Sequence, residues 1–131
     1  HLNRIKFADL FLDTLPYNAH ATTSDALQKG VPVLTCMGSS FPSRVAASLL
    51  SSVNLPELIT NSRKEYELLA IELATNPKKF QELKNKLSIN LSISPLFNTA
   101  LFTKNLETVY FEMNERYQKG QDPDHIYVNK N

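Results

Sequence analysis

The chain is 131 residues long, 42% hydrophobic and 21% charged, with a formal net charge of +1. That length fits one domain able to bury about two-thirds of its unfolded surface, and the composition excludes a disordered tail and a disulfide scaffold. A near-neutral balance with no long basic run and no zinc-type Cys/His spacing speaks against a nucleic-acid module, and no apolar stretch has the length of a membrane span.

Leu2, Ile5 and Ala8 follow helical spacing, so the chain opens inside an element; starting at His1 without a methionine, it reads as a piece excised from something longer. Leu10, Phe11 and Leu12, closed by Asp13, predict a short strand buried on both faces. Residues 22–29 read as a helix stopped by Gly30, and Val31-Pro32-Val33-Leu34-Thr35 as a second buried strand entered through proline. Strand, polar loop, helix, strand is the βαβ unit of a parallel sheet.

The single cysteine, Cys36, cannot form an internal disulfide; it suits a reducing cytosol and reads as a small buried residue near a strand end. The turn Met37-Gly38-Ser39-Ser40 leads into a helix over about 42–52, and Leu58-Ile59 is at most a short further strand. Asn61 or Ser62 then caps a helix with Tyr66, Leu69, Ala70 and Leu73 on one face, broken by Asn76-Pro77. Phe80, Leu83, Leu87 and Leu91 mark another amphipathic helix, which Ser94-Pro95 ends. The last helix starts near Asn98 with the stripe Phe102, Leu106, Val109, Tyr110, Met113 and Tyr117; Gly120 follows, then a polar tail in which Ile126 and Tyr127 can dock. Two convincing strands are few for an independent parallel sheet, so further strands are expected before His1.

Between the first two strands lies a polar cluster, Asn18-Ala19-His20-Ala21-Thr22-Thr23-Ser24-Asp25. Open α/β sheets bind ligands beyond the carboxyl ends of their strands, where loops run into helix N-termini, and the cluster has that position. If the helix begins at Thr22, its first backbone N–H groups lack intrahelical acceptors and can receive an anion. Thr22 and Thr23 add hydroxyl donors, His20 can donate from a ring nitrogen, and Asp25, one turn on, can accept the hydroxyl hydrogens of a ribose. The same Thr22-Thr23-Ser24-Asp25 is also a Ser/Thr-x-x-Asp/Glu capping box that satisfies helix donors with no ligand, and on periodicity alone the cap is the stronger reading. No glycine-rich phosphate fingerprint is present, since none of the three glycines lies in this loop.

The blocks FADLFLDTLPYNAHATTSDALQKGVPVLT, GSSFPSRVAASLL and ISPLFNT resemble the C-terminal catalytic region of the O-linked N-acetylglucosamine transferases, including bacterial tetratricopeptide-fused members and the plant SPINDLY branch. The resemblance runs from His1 to about His125. It implies an α/β fold, a partial Rossmann-like C-terminal lobe of a GT-B glycosyltransferase, helix-rich with few parallel strands. Residues 1–131 would form one domain: a βαβ nucleotide-binding part at 1–60, a helical part at 61–97, a long helix at 98–119 and a tail at 120–131. Family members move a sugar from a UDP-sugar, usually UDP-N-acetylglucosamine, to a protein Ser or Thr hydroxyl, with inversion and with neither metal nor cofactor.

Carried over position by position, the resemblance puts His1 against the uracil and His20 near the diphosphate, stabilising the leaving UDP. It puts Ala21, Thr22 and Thr23 at the phosphates and Asp25 on the ribose, and so places the ligand reading of the cluster ahead of the cap. Ala21 stands where some relatives have threonine, which keeps the backbone N–H; Gln28-Lys29 and Ser39 replace a Trp-Ala-like pair and a frequent glutamate, which bears on donor-sugar preference and loop packing. Electrostatic stabilisation of the departing UDP carries the implied mechanism. The family's diphosphate lysine and most acceptor-site residues fall outside this chain. The isolated, cytoplasmic piece is therefore expected to be inactive, with the N-terminal lobe and tetratricopeptide repeats of its parent as partners; the stripe from Phe102 to Tyr117 either packs within this chain or needs a partner, and without the partner lobe its exposed apolar surface drives self-association. Two rival readings stay open: a non-catalytic nucleotide-binding or protein-interaction module, and a transferase using another donor such as GDP-fucose.

Overall fold

A computed structural model describes residues 2–128, in two compact units that meet in sequence between Phe97 and Asn98. In the first, helix α1 (Leu2–Ile5) is followed by β1 (Phe11–Leu12), α2 (Ala21–Gln28), β2 (Val33–Cys36), α3 (Val45–Ser52), β3 (Ile59–Thr60), α4 (Arg63–Thr75) and α5 (Pro77–Ile93). The sheet order is β1-β2-β3 and both pairings are parallel, with Phe11 opposite Val33 and Cys36 opposite Thr60. This is the expected helix-rich α/β class, with three parallel strands where two were convincing in the sequence.

β2 is the centre of the sheet, and all four of its residues are buried, as an apolar strand flanked on both edges and faces must be. β1 departs from expectation: Phe11 is half-buried and Leu12 is 53% exposed. The physical reason is its position, since β1 pairs only with β2 among the described residues and so forms the edge of this sheet. β3 is short but firmly tied, for the Thr60 hydroxyl donates to the Thr35 carbonyl at 2.9 Å and the Met37 N–H to the Thr60 carbonyl at 2.8 Å.

One apolar cluster joins the sheet to its helices, through Leu27, Val33, Leu50, Leu58, Leu73, Leu83 and Leu87. Leu83 and Leu87 stand four apart, so one face of α5 turns to the core. Asn90 extends that face, and its amide Nδ2 donates to the carbonyls of Val53 at 2.8 Å and Asn54 at 3.2 Å, tying α5 to the end of α3.

Helix starts follow the local chemistry. The Ser62 hydroxyl accepts the Glu65 N–H at 3.2 Å while the Glu65 carboxylate accepts the Asn61 N–H at 2.9 Å, a reciprocal cap on α4. Asn76 caps α5 through the Lys79 N–H at 3.1 Å, with Pro77 as first helical residue, where its missing N–H costs nothing. In the second unit Asn98 caps α6 (Thr99–Gln118) through the Leu101 N–H at 3.0 Å. No residue of α6 is fully buried, and of its apolar stripe Leu106 and Val109 are half-buried. Arg116 donates to the Asp122 carbonyl at 2.9 Å and draws the tail back on the helix; Ile126 is half-buried there, whereas Tyr127 is exposed.

The end of α2 matters most for the site, because it sets where the chain returns to β2. Gly30, at φ +74°, donates to the Leu27 carbonyl at 2.9 Å and Val31 to the Ala26 carbonyl at 3.0 Å, the paired bonds of a Schellman stop. Space is open around a Cβ at Gly30, so only the backbone angle resists substitution. Gly30→Ala is expected to lower stability by about 1 kcal/mol, read from urea unfolding, with no change in slope.

Candidate functional site

Two loops leave the carboxyl ends of β1 and β2, residues 13–20 and 37–44, and they meet at Pro42. Their shape starts from Asp13, which is 4% exposed. Its Oδ1 accepts the N–H groups of Thr14 at 2.8 Å and Ala19 at 2.7 Å, and its Oδ2 accepts the Thr35 hydroxyl at 2.6 Å. One carboxylate thus ties both ends of the first loop to β2. Tyr66 on α4 donates its phenol to the Asp13 carbonyl at 2.9 Å. Burial first, then the charges of Asp13 and Cys36, push the Tyr66 phenol above its ordinary value of 10.0.

Asn18 is fully buried under the loop. Its side-chain amide donates to the Thr14 carbonyl at 3.0 Å and its backbone N–H to the Pro42 carbonyl at 3.0 Å, while its Oδ1 finds no partner. His20 donates to the same Pro42 carbonyl, Nε2 to oxygen, at 3.3 Å. A carbonyl only accepts, so the proton sits on Nε2 and Nδ1 is the nitrogen left for a ligand; Nδ1 donates only when the ring carries a second proton. Tyr17 stacks on the imidazole at 5.0 Å between centroids and Phe41 meets its edge at 6.1 Å.

The capping box expected at Thr22-Asp25 does not form. The helix starts one residue earlier, at Ala21; His20 is its N-cap, and no side chain caps it. The first helical bond is Ser24 N–H to the His20 carbonyl at 3.2 Å, which leaves the N–H groups of Ala21, Thr22 and Thr23 without intrahelical acceptors. Thr23, expected to offer its hydroxyl, is fully buried and donates it to the Ala19 carbonyl at 2.8 Å; only its backbone N–H remains for a ligand. The cause is helical phase: starting at Ala21 turns Thr23 inward with Ala26 and Leu27 and leaves Thr22 and Asp25 half-buried. The structure therefore brings His20, Ala21, Thr22 and Asp25 to one end of α2. His1 lies outside the described residues.

Residues of the same two loops and Arg63 also line a cleft of about 230 Å³, with Leu15, Pro16, Cys36, Gly38, Ser39 and Ser43 in its wall and neither His20 nor any residue of α2. Gly38 is required there, because a Cβ would lie 2.5 Å from the Ser43 hydroxyl. Cys36 is buried, as expected. Among the described residues no three His, Cys, Asp or Glu side chains gather as a metal site, and no helix is long and apolar enough to cross a membrane. Sequence reasoning passed over Asp13, Tyr17, Phe41 and Tyr66; for Asp13 the signal was there, a carboxylate at the carboxyl end of a strand.

Residues 1–106 match the family described as Glycosyl transferase family 41. The chain is 40% identical, over its full length, to the probable UDP-N-acetylglucosamine–peptide N-acetylglucosaminyltransferase SEC of Arabidopsis thaliana, of which it covers 14%. It is 34% identical over 98% of its length to the UDP-N-acetylglucosamine–peptide N-acetylglucosaminyltransferase of Caenorhabditis elegans, of which it covers 11%. A solved structure of a mutant O-GlcNAc transferase from Thermobaculum terrenum matches 86% of this chain with a TM-score of 0.76 at 33% identity, and the chain covers 22% of it. The chain thus spans a small fraction of the proteins it resembles.

The Asp13 network gives two expected outcomes. Asp13→Ala removes a charged acceptor from three donors and is expected to cost about 3 kcal/mol in chemical unfolding, against about 1 kcal/mol for Tyr66→Phe. A phenol whose pKa is raised by folding contributes stability below its unfolded value of 10.0 and loses it as pH climbs from there towards the folded value. Wild type is therefore expected to weaken more steeply above pH 10 than Tyr66→Phe, in thermal unfolding against pH.

Proposed function

Because the chain belongs to glycosyl transferase family 41, we propose that it is the part of an inverting, metal-independent glycosyltransferase that holds the nucleotide diphosphate and ribose. The whole protein moves N-acetylglucosamine from UDP-N-acetylglucosamine to Ser or Thr hydroxyls of proteins. Relatives named as UDP-N-acetylglucosamine–peptide transferases support this reading.

The observation that carries it is the bare first turn of α2. α4, α5 and α6 each start under a side-chain cap; α2 does not, and neither does α3, which runs on from a single 3-10 turn at Phe41–Ser43. Three N–H groups and the positive end of a helix dipole point out where ligands of parallel sheets bind. A diphosphate answers all three at once. The unpaired Oδ1 of buried Asn18 adds support: an orphaned acceptor costs about 1–3 kcal/mol and is the kind of local inconsistency found where loop shape serves a ligand.

In the reaction the bond between the sugar's anomeric carbon and the diphosphate oxygen breaks, and negative charge grows on the departing UDP. Donors fixed in advance bind that charge more strongly in the transition state than in the ground state. The backbone N–H groups of Ala21, Thr22 and Thr23 and the Thr22 hydroxyl supply them, and His20 adds Nδ1 when its ring carries a second proton. Asp25 accepts from the ribose hydroxyls and fixes the nucleoside, and His1 packs against the uracil. The diphosphate lysine and most acceptor-site residues come from other parts of the parent, so this chain alone binds nucleotide and transfers no sugar.

UDP titrated into the chain and followed by backbone amide NMR is expected to shift Ala21, Thr22 and Thr23 first. Asp25→Ala is expected to weaken binding by roughly 10- to 150-fold, the loss of one charged hydrogen-bond acceptor. Failure of millimolar UDP to move those amides, or an Asp25→Ala chain that binds as well as wild type, defeats the proposal.

A further inference from the structure

We infer that Tyr17 and Phe41 are positioning residues that clamp the His20 ring, so that Nδ1 is the nitrogen turned to the nucleotide diphosphate. The inference rests on the reading of His20 given above and adds what orients the ring. Tyr17 lies nearly parallel to the imidazole, 21° between planes, and Phe41 meets its edge at 81°. The two come from different loops, one after β1 and one after β2, so the imidazole is contacted from both loops. The Pro42 carbonyl adds the third contact by accepting Nε2–H.

That carbonyl is itself fixed, because it also accepts the backbone N–H of fully buried Asn18 at 3.0 Å. Turning the ring over about Cβ–Cγ would replace Nε2–H at the Pro42 carbonyl by Cε1–H and lose that hydrogen bond, so one orientation is kept. A phosphate oxygen only accepts, so its bond to Nδ1 needs a proton on that nitrogen; Asp13, the carboxylate of the same loop, is engaged by the Ala19 N–H, and Asp25 lies one turn along α2. Tyr17 is the titratable side chain packed on the ring.

Neither aromatic ring serves the core: Tyr17 is 62% and Phe41 78% exposed. Two large apolar groups held in solvent at one histidine call for a local role. Tyr17 is anchored by its backbone, whose carbonyl accepts the Thr14 hydroxyl at 2.6 Å, so its side chain can be cut back without loosening the loop.

The test uses the whole chain with nitrogen-15-labelled histidine. The His20 imidazole is expected to keep its Nε2 signal in the hydrogen-bonded N–H form and to show its largest UDP-induced shift at Nδ1. Tyr17→Ala and Phe41→Ala are each expected to mix the two tautomers and to weaken UDP binding about threefold to tenfold, the range for loss of one aromatic pair. Tyr17→Phe should restore both readouts, and all three variants should unfold at the wild-type temperature. Unchanged imidazole signals and unchanged UDP affinity in Tyr17→Ala, while Asp25→Ala still weakens binding, overturn the clamp and leave the nucleotide site standing. Loss of UDP binding from every form, wild type included, defeats the diphosphate reading and this inference with it.

Discussion

The carboxylate of Asp13 is the constraint on which the site depends. It is buried beside a strand end, and burying a carboxylate is costly unless hydrogen bonds replace its water. Here two backbone N–H groups and a threonine hydroxyl do so. Each donor comes from a different place: the residue after Asp13, the far end of the loop, and β2. The loop from Asp13 to Ala19 is consequently a closed ring pinned to the sheet, and His20, next in the chain, inherits its position. Tyr66 closes the arrangement from α4 by donating to the Asp13 carbonyl, so a helix distant in sequence braces the same point.

With the loop pinned, α2 begins where Asp13 and Ala19 put it, and the consequences run along the helix. Its phase buries Thr23 against the core and ties that hydroxyl to Ala19. The turn that would have capped itself is left with open donors, while α4, α5 and α6 keep their caps. Side-chain caps are thus supplied at three helix starts and missing at α2 and α3, both of which follow the carboxyl ends of parallel strands, where such folds place ligands. Under the proposed function that difference has a chemical meaning, since a sugar nucleotide would bring the anionic oxygens that the turn lacks.

Much of this was legible in local pattern. The α5 face of Leu83 and Leu87, the break at Asn76-Pro77, the cap at Ser62 and the stop at Gly30 all follow from spacing and turn chemistry within a few residues. β1 was half legible: its apolar run marks a strand, but whether a neighbour covers Leu12 is decided by what pairs beyond it. The Thr22-Asp25 box was misleading for a similar reason. Its motif is valid only if the helix starts at Thr22, and the start is set by Asp13 and Ala19, outside the motif.

By itself the sequence determined the α/β class, the βαβ order, most helix limits and, through its resemblance, the family and the residues at the end of α2. Those rest on periodicity, capping and short motifs, which act over one or two turns of chain. Tertiary structure alone decided which groups of the polar cluster face outward. Thr35 is 22 positions from Asp13, Tyr66 is 53, and Pro42 is 22 from His20; bonds across such separations exist only after the parallel strands have paired. They commit the Thr23 hydroxyl inward, leave the first N–H groups of α2 open, and reserve a single nitrogen of His20.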